Sequence, residues 1–388
     1  MSHIAVQNLT ERRLLGSSST NKEAIWTEFS RIWDKIYRAT ISTLVGMEIR
    51  KIQITGGNSY VVSLPKSWVN DAGLKAKDAV LVMPQADMSL LVVPKNDLRK
   101  ETKSEVLIEM QENTDRDTAL RTFISYYLAG YDVIRMRVSG SGSGLRSHLK
   151  EAIRRKLIGI EIVEETSNGI TTQCLSGYSD LPLKKAIERM AIIASGMVQD
   201  AVASLQSGDL ALAEEVSQRD DEVDRFYHFI VRQLNMAVRN RAIIEEVGLV
   251  AARDCLGYRL AVKSIERVAD HAASIARLVP SLRPDALGKI LREVVKMSEL
   301  SQKVLGQAVS ALVDLDVKKA NESINLTKKV IEIDEKMTGE LLRPGMEPST
   351  VGWFRLVLES VRRVAEYGSD IAEIAVDLTA KEPNNLAT

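Results

Sequence analysis

The sequence predicts a multidomain protein with a small β module, an α/β connector and an all-α body of two three-helix bundles. Between residues 48 and 95 the apolar pattern has a period of two, which is typical of strands. Strand and helix patterns alternate over 104–176, and helical spacing with few breakers dominates from 183 to 378. The chain has 388 residues, of which 45% are hydrophobic, so it is long enough to bury several cores.

Composition excludes several protein classes. The 52 Lys and Arg residues balance the 52 Asp and Glu residues, so any surface that binds an anion must be local. Only Cys174 and Cys255 are present, without a CxxC pair, which argues against a disulfide framework and a zinc knuckle. No apolar run approaches the ~18 residues of a membrane span. We therefore expect a soluble, cytoplasmic protein with no membrane insertion.

Residues 1–46 differ from the rest of the chain. A polar start precedes apolar residues at roughly helical spacing, namely Trp26, Phe29, Trp33, Ile36 and Tyr37. The segment is predicted to be an N-terminal extension that is either one amphipathic helix or disordered. Because a more regular pattern opens at Met47, an alternative is that the natural protein starts there.

The β module is predicted within residues 47–95. Two strands, a short helix and two further strands follow in order, at Glu48–Thr55, Tyr60–Leu64, the segment between Pro65 and Gly73, Ala79–Met83 and Leu90–Val93. A module of about fifty residues buries little apolar surface by itself. Dimerisation is therefore expected.

The β module resembles the AbrB/SpoVT family. The matching residues are Val61–Pro65, the segment Gly73–Asp78 and the basic residues of the first strand. The resemblance implies a swapped-hairpin homodimer that binds DNA through Arg50, Lys51 and Lys66.

Two positions in the short helix depart from that family's pattern. Val69 and Asn70 stand where arginines are expected, which leaves few cations to hold phosphates. The alternative interpretation is that the basic residues are solvated edge-strand charges that prevent aggregation.

The connector is predicted over residues 104–176. Its strands and helices are expected at Glu105–Gln111, Arg116–Ala129, Tyr131–Val138, Leu145–Leu157, Gly159–Glu164 and Ile170–Cys174. The Gly/Ser run Ser139–Gly144 lacks the last glycine of a dinucleotide fingerprint, so a turn is favoured over a phosphate site. The second helix carries a basic stripe of Arg146, Lys150 and Arg154, with Arg155 and Lys156 beside it. This stripe is interpreted as a solvated face, and an anion or partner patch is the alternative.

Two sets of three helices are predicted, at 183–280 and 284–380, because their sequences repeat. The third helices share a frame (Ile265–Ala276 and Val361–Ala372), and so do the second helices (Val216–Phe226 and Leu326–Lys336). Aligned acids lie 110 positions apart on the second helices and 96 apart on the third, so the second hairpin is shorter by 14 residues. Divided evenly, that is about two turns from each arm, which preserves the register.

The first set of helices carries the candidate site. Asp220 and Asp224 flank the apolar stripe of its second helix, and Glu266 and Asp270 flank that of its third. Four carboxylates would converge between the helices, an oxygen-rich arrangement that suits Mg²⁺, Mn²⁺ or iron.

Other residues leave the chemistry of this cluster open. His228 or His271 is a candidate nitrogen ligand. The alternative to a metal centre is that the acids form surface ion pairs with Arg225, Arg267 and Arg277.

These motifs resemble PhoU proteins. The signature helix is Glu266–Ala276 and the partner motif is Asp220–Asp224. The resemblance implies a regulator of phosphate uptake that acts on a phosphate ABC transporter or its signalling proteins, with a multinuclear metal cluster of iron, Mn, Mg or Zn. In the second copy Val330 and Arg362 replace two of the acids, so only a weaker metal site is expected there, formed by Asp334, Glu366 and Asp370.

The leading functional hypothesis is therefore a non-enzymatic regulator of phosphate homeostasis. A dimeric adaptor that binds only protein is the main alternative. A dimetal carboxylate enzyme is a remote one, because neither His228 nor His271 follows a glutamate at the spacing of a Glu-x-x-His motif.

Overall fold

The protein is represented by a computed structural model that describes residues 48–57, 59–84, 88–95, 103–140, 143–175, 181–281, 288–343 and 347–380. The chain divides into two compact units, residues 1–101 and 102–388. The predicted N-terminal extension, residues 1–46, lies outside the described residues. None of the described helices is long and apolar enough to cross a membrane.

The first unit contains two antiparallel hairpins and one short helix. Its elements are β1 (Gln53–Thr55), β2 (Ser59–Val61), α1 (Lys66–Asp71), β3 (Val80–Pro84) and β4 (Leu90–Pro94). Strand β1 begins at Gln53, later than predicted, because Gln53 pairs with Val61 and no partner lies opposite the residues before it. Ile54 pairs with Tyr60, and these side chains are 66% and 74% exposed. Pro94 is the only buried residue among those described in this module.

The connector is a four-stranded sheet with helices on one face. Its elements are β5 (Glu105–Met110), α2 (Arg116–Leu128), β6 (Val133–Val138), α3 (Ser143–Lys156), β7 (Ile160–Thr166) and β8 (Gly169–Cys174). The strand order is β5-β6-β8-β7, in which only the β5–β6 pair is parallel. Phe123 and Tyr127 of α2 and Leu149 and Ile153 of α3 are fully buried against the sheet.

The helical body follows. Its elements are α4 (Leu183–Ser207), α5 (Leu210–Arg239), α6 (Arg241–Glu246), α7 (Asp254–Leu278), α8 (Gly288–Asp314), α9 (Val317–Leu341) and α10 (Pro348–Asp377). Helices α4, α5 and α7 pack together, α8, α9 and α10 pack together, and α7 packs against α10. One apolar core runs through both sets. The predicted fold class, a small β region followed by a mostly helical body, is confirmed.

The two hairpins differ in length, but the difference is not divided evenly between their arms. Helix α5 extends 15 residues beyond Asp224 to Arg239, whereas α9 extends seven beyond Asp334 to Leu341. The third-helix arm is not shortened, since α7 begins 16 residues before Asp270 and α10 begins 18 before Glu366, so the rest of the difference lies in the tip, where the first hairpin holds the short helix α6. The expectation of equal shortening was wrong because the tip forms its own helical turn.

Helix α5 also anchors the connector. The Arg232 side chain is 7% exposed, and its guanidinium donates to the carbonyls of Tyr127 (2.7 Å) and Tyr131 (2.9 Å) and to Asp132 (3.2 Å). Further along α5, Asn235 donates to the carbonyl of Leu128 and Arg239 to that of Ala129. Side chains of α5 thus donate to backbone carbonyls at and just beyond the end of α2, where the helix supplies few N–H donors of its own.

Candidate functional site

The four predicted acids of the first bundle lie close enough to act on each other. Asp220 and Asp224 are one turn apart on α5, and Glu266 and Asp270 are one turn apart on α7. Burial raises the pKa of Asp220 to about 6, helped by the negative charges of Asp224, Asp270, Glu266 and Asp221. We call these five residues the acid cluster.

Burial also affects the acids on α7. It raises the pKa of Glu266 against the opposing effect of Lys263, and it raises that of Asp270 with a further contribution from Asp224. Both helices therefore hold carboxylates in an environment that disfavours their charge.

Three cationic side chains lie at the cluster, and two come from the connector. The Lys156 ammonium, at the end of α3, is 3.0 Å from Asp221 and 3.1 Å from Asp224. Burial opposes its charge, but the hydrogen bonds to both aspartates outweigh burial and raise the pKa of Lys156. The other two ion pairs join Arg155 to Asp221 at 3.0 Å and Lys263 to Glu266 at 2.5 Å.

These partners correct the sequence-based expectation. Lys156 was assigned to a solvated face, yet its side chain is only 23% exposed. In the alternative to a metal centre, Arg225, Arg267 and Arg277 pair with the acids, but the ion pairs found in the described residues involve other cations. The sequence marks Lys156 only as part of the basic last turn of the predicted connector helix. It does not show which surface that turn contacts.

The two histidines lie in different surroundings. His228 Nδ1 is 3.1 Å from the backbone carbonyl of Lys156, so Nδ1 carries the donated proton and Nε2 is the free nitrogen of the neutral ring. Burial lowers the pKa of His228. His271 instead packs beside Tyr367 of α10, with ring centroids 5.8 Å apart, and burial also lowers its pKa.

The donor chemistry of the acid cluster fits a hard divalent cation. Among the described residues, neither Asp220 nor Asp270 has an ion-pair partner, so each helix presents an uncompensated carboxylate. Oxygen donors of this kind suit Mg²⁺, Mn²⁺ or iron. In the described part of the chain no three His, Cys, Asp or Glu side chains stand where they would hold one ion.

The corresponding region of the second bundle is an ionic network. The Asp334 side chain is 5% exposed and lies 2.6 Å from Arg355 and 3.6 Å from Arg362. Glu359 accepts from both arginines, and Glu366 pairs with Arg362 at 3.4 Å.

Other residues of the second bundle that correspond to or were predicted alongside the acid cluster also differ from it. Val330, at the Asp220 position, is fully buried. Asp370 is exposed, and desolvation raises its pKa. Two of the three acids predicted for a weaker metal site, Asp334 and Glu366, therefore have arginine partners.

The residues predicted to bind DNA lie on the surface of the β module. Arg50, Lys51 and Lys66 are all exposed, and Arg50 pairs with Glu48. Lys66 begins α1, and Lys51 lies two residues before the start of β1.

Comparisons with known proteins divide the chain along the same lines. Residues 187–279 match the PhoU domain. This range holds all five residues of the acid cluster and reaches the end of α7. Residues 53–100 match the antidote-toxin recognition domain of the bacterial antitoxin MazE. The PhoU domain identified in the sequence analysis is thereby confirmed, and the β module is confirmed as an antitoxin-like domain.

Several similar proteins are named as PhoU homologs. A Thermotoga maritima protein, "Phosphate-specific transport system accessory protein PhoU homolog 2", is 27% identical over 203 residues, which are 51% of this chain and 85% of that protein. A PhoU homolog of Clostridium acetobutylicum is 23% identical over 52% of this chain and 92% of its own. One from Caulobacter vibrioides is 32% identical over 99 residues, 25% of this chain and 39% of its own.

Two solved PhoU structures are also similar. The Streptococcus pneumoniae protein gives a TM-score of 0.45 at 18% identity, covering 50% of this chain and 92% of its own. The Pseudomonas aeruginosa protein gives 0.44 at 23% identity, covering 50% and 94%.

Proposed function

We propose that this protein is a cytoplasmic, non-enzymatic regulator of phosphate uptake that acts with a phosphate transport system or its signalling proteins. The observation that carries the proposal is the match to two accessory proteins of phosphate-specific transport, which covers 85% and 92% of their lengths. Deletion of the gene should raise uptake of radiolabelled phosphate by cells grown in high phosphate, and the full chain should restore the low rate. An uptake rate that is unchanged by deletion would contradict this role.

The proposal includes a metal at the acid cluster, held by Asp220, Asp224, Glu266 and Asp270. Its support is the excess of carboxylate over cation there and the raised pKa values, because a bound divalent cation would relieve both the repulsion and the burial cost. The candidates are Mn²⁺, Mg²⁺, iron and Zn²⁺.

Elemental analysis of protein purified without chelator tests the metal site. Asp224→Ala/Asp270→Ala should lose the metal, whereas Asp334→Ala/Asp370→Ala, in the second bundle, should retain most of it. Equal metal contents in the wild type and the first variant would rule out this site.

The proposal also includes a homodimer formed through the β module. Its described residues expose a set of large apolar side chains: Ile49, Ile52, Ile54, Tyr60, Val61, Val62, Val82, Met88, Leu90 and Leu91. An exposed apolar patch of this extent usually marks an interaction surface. A second copy is the expected partner because the strand pattern of the sequence continues on both strands past the open end of the β1–β2 ladder, where Ile52 and Val62 have no partner strand among the described residues.

The proposal also includes DNA binding by this dimer. Arg50, Lys51 and Lys66 are exposed on each copy, so a dimer would present six cations. Contacts of this number give weak binding with a steep salt dependence.

Fluorescence anisotropy with upstream DNA of phosphate-transport genes tests it. Arg50→Ala/Lys51→Ala/Lys66→Ala should weaken binding and lower the slope of log K against log salt by about two or more. The matched variant Lys318→Ala/Lys328→Ala/Lys329→Ala removes three exposed lysines of α9 and should bind as the wild type does. If both variants bind equally, the assigned face is wrong.

A protein-binding adaptor without DNA or metal is the second candidate. It is favoured by the protein cations that already pair with the acids, Lys156 in the first bundle and Arg355 in the second. Retention of transporter regulation by both Asp224→Ala/Asp270→Ala and Arg50→Ala/Lys51→Ala/Lys66→Ala would support the adaptor.

A further inference from the structure

The connector sheet ends in two edge strands, β5 and β7, which differ in regularity. Strand β5 pairs with β6 in unbroken parallel register over its whole length. Strand β7 has a β-bulge between Ile162 and Glu164, which interrupts its register with β8. Bulges are among the features that keep natural edge strands from pairing with another chain. Of the two edges, β7 has this protection and β5 does not.

The two edges also differ in charge. Glu105 and Glu109 of β5 each pair with an arginine of β6, at 3.3 Å and 3.6 Å, and Leu107 between them is 47% exposed. Glu161 and Glu164 of β7 are exposed and have no ion-pair partner in the described part of the chain. Unpaired charges on an edge oppose the addition of another strand. Strand β5 is again the less protected edge.

The outer side of β5 presents backbone groups that one chain leaves open. The carbonyls of Ser104 and Met110, at the two ends of β5, accept from backbone N–H groups at the two ends of β6. Because backbone groups of successive residues point to opposite sides of a strand, those of Glu105, Leu107 and Glu109 point away from β6. No strand among the described residues pairs with β5 on that side. We call these three residues the β5 edge, and their N–H and C=O groups are available to another strand.

A second copy of β5 fits this edge in antiparallel orientation. About a two-fold axis at Ile108, the helix-covered face would place Ile108 beside its counterpart and Val106 beside Met110, so that apolar side chains meet apolar ones. On the other face Leu107 would lie beside Glu109, so no two glutamates would face each other directly. The edge is therefore complementary to itself.

The homodimer of the proposed function would bring two such edges close together. Residues 95–104 separate Pro94, the end of β4, from Glu105, the start of β5, and these ten residues span at most about 35 Å when fully extended. Tethering of this kind raises the effective concentration of a second, weaker contact. The pairing needs this help, because one short strand pair is small beside the ~1,200 Å² or more that stable interfaces bury.

We infer that the β5 edges of two copies pair in antiparallel orientation and join the two connector sheets into one continuous sheet. The pairing rests on the homodimer of the proposed function, which supplies the local concentration. Since Arg232 of α5 binds the end of α2, the same pairing would tie the PhoU domains of the two copies to each other through their connectors.

Hydrogen exchange at single-residue resolution on the full, dimeric chain tests the pairing. The amides of the β5 edge have no acceptor within the described residues of one chain, so pairing should slow their exchange. The reference is Ile54→Lys/Tyr60→Lys, which places charge on the apolar surface of the β module and should remove the tether. Relative to that variant, the edge amides of the wild type should exchange about 100-fold more slowly or slower still.

Two variants at one position give the matched comparison. Leu107→Pro removes the outward N–H and places a ring at the edge, so the amides of Glu105 and Glu109 should lose their protection. Proline is tolerated where the N–H of an edge strand faces outward, so the amides of Val106 and Ile108 should stay protected and show that the connector is folded. Leu107→Thr keeps the N–H and a high strand propensity, and it should retain most of the protection.

The outcomes separate the pairing from the proposed dimer. If the wild type is dimeric and its β5 edge exchanges as fast as in Leu107→Pro, the β-module dimer stands and the pairing is refuted. Protection that persists in a monomeric Ile54→Lys/Tyr60→Lys chain would overturn the pairing, because another part of the same chain would then cover the edge. If that variant stays dimeric and Leu107→Pro alone abolishes protection, the pairing stands and the β-module interface is wrong. A monomeric wild type would overturn both.

Discussion

The guanidinium of Arg355 lies 2.6 Å from the carboxylate of Asp334, the residue of the second bundle that aligns with Asp224. In both bundles, therefore, a protein cation holds the aspartate of the second helix. In the first bundle that cation comes from the connector, and in the second it comes from α10 of the same bundle. The second bundle closes its own site, whereas the first depends on a neighbouring structural element.

The ion pairs of Asp334 predict that removing its two arginine partners destabilises the protein more than removing the aspartate does. Arg355→Met/Arg362→Met leaves Asp334, 5% exposed, as an unpaired buried charge and should destabilise the protein by about 3 kcal/mol. Asp334→Leu should cost less, about 1 kcal/mol, because both arginines are partly exposed and can turn to water. Urea unfolding followed by circular dichroism measures both. If both variants lose the same free energy of unfolding, the buried charge of Asp334 does not depend on its arginine partners.

The raised pKa of Asp220 predicts that lowering the pH stabilises the metal-free protein, because protonation removes the charge of this carboxylate. The pKa of this carboxyl is raised from 3.8 to about 6, so the folded state binds its proton more tightly than the unfolded state does. The resulting cost is fully present above pH about 6 and is relieved as the pH falls towards about 4.

Asp220→Asn should therefore raise stability at pH 8, by about 1 kcal/mol after allowing for screening at this partly exposed site, and should change it little at pH 4. Thermal unfolding in chelator at the two pH values measures the difference. Glu322→Gln, an exposed acid on α9, should show no such pH-dependent gain. A loss of stability in Asp220→Asn at pH 8 would contradict the repulsion between Asp220 and its neighbouring carboxylates.

The convergence of the acids was predictable, and their counter-ions were not. Helical periodicity places Asp220 with Asp224 and Glu266 with Asp270, and hairpin packing then brings the two pairs together. Lys156 lies 68 positions before Asp224, and only the docking of the connector on α5 brings the two residues into contact. The hairpin lengths show the same limit, since the counted difference of 14 residues was correct, but periodicity could not predict how it divides between the arm of α5 and the tip that holds α6.

The docking of the connector should depend on Arg232. Arg232→Met leaves two carbonyls and Asp132 without their donor in a buried interface, so a loss of about 3 kcal/mol is expected. Hydrogen exchange should quicken in α2 and leave α8 to α10 unchanged. Arg239→Met removes a more exposed bond to the carbonyl of Ala129, and it should cost under about 1 kcal/mol. If α2 stays protected in Arg232→Met, other contacts hold the connector.

The exposed pair Ile54 and Tyr60 should decide the oligomeric state. These cross-strand partners are 66% and 74% exposed in one chain, and burying each in a dimer would contribute about 1.5 kcal/mol or more. Ile54→Lys/Tyr60→Lys removes that gain and adds four positive charges to the interface, so the dimer Kd should rise by about 100-fold or more. Light scattering after size exclusion at micromolar concentration measures the mass. Ile192→Lys, which places the same charge at a residue 71% exposed on α4, should keep the wild-type mass. A dimeric Ile54→Lys/Tyr60→Lys chain would show that the β module is not the dimer interface, and another part of the chain would then have to supply it.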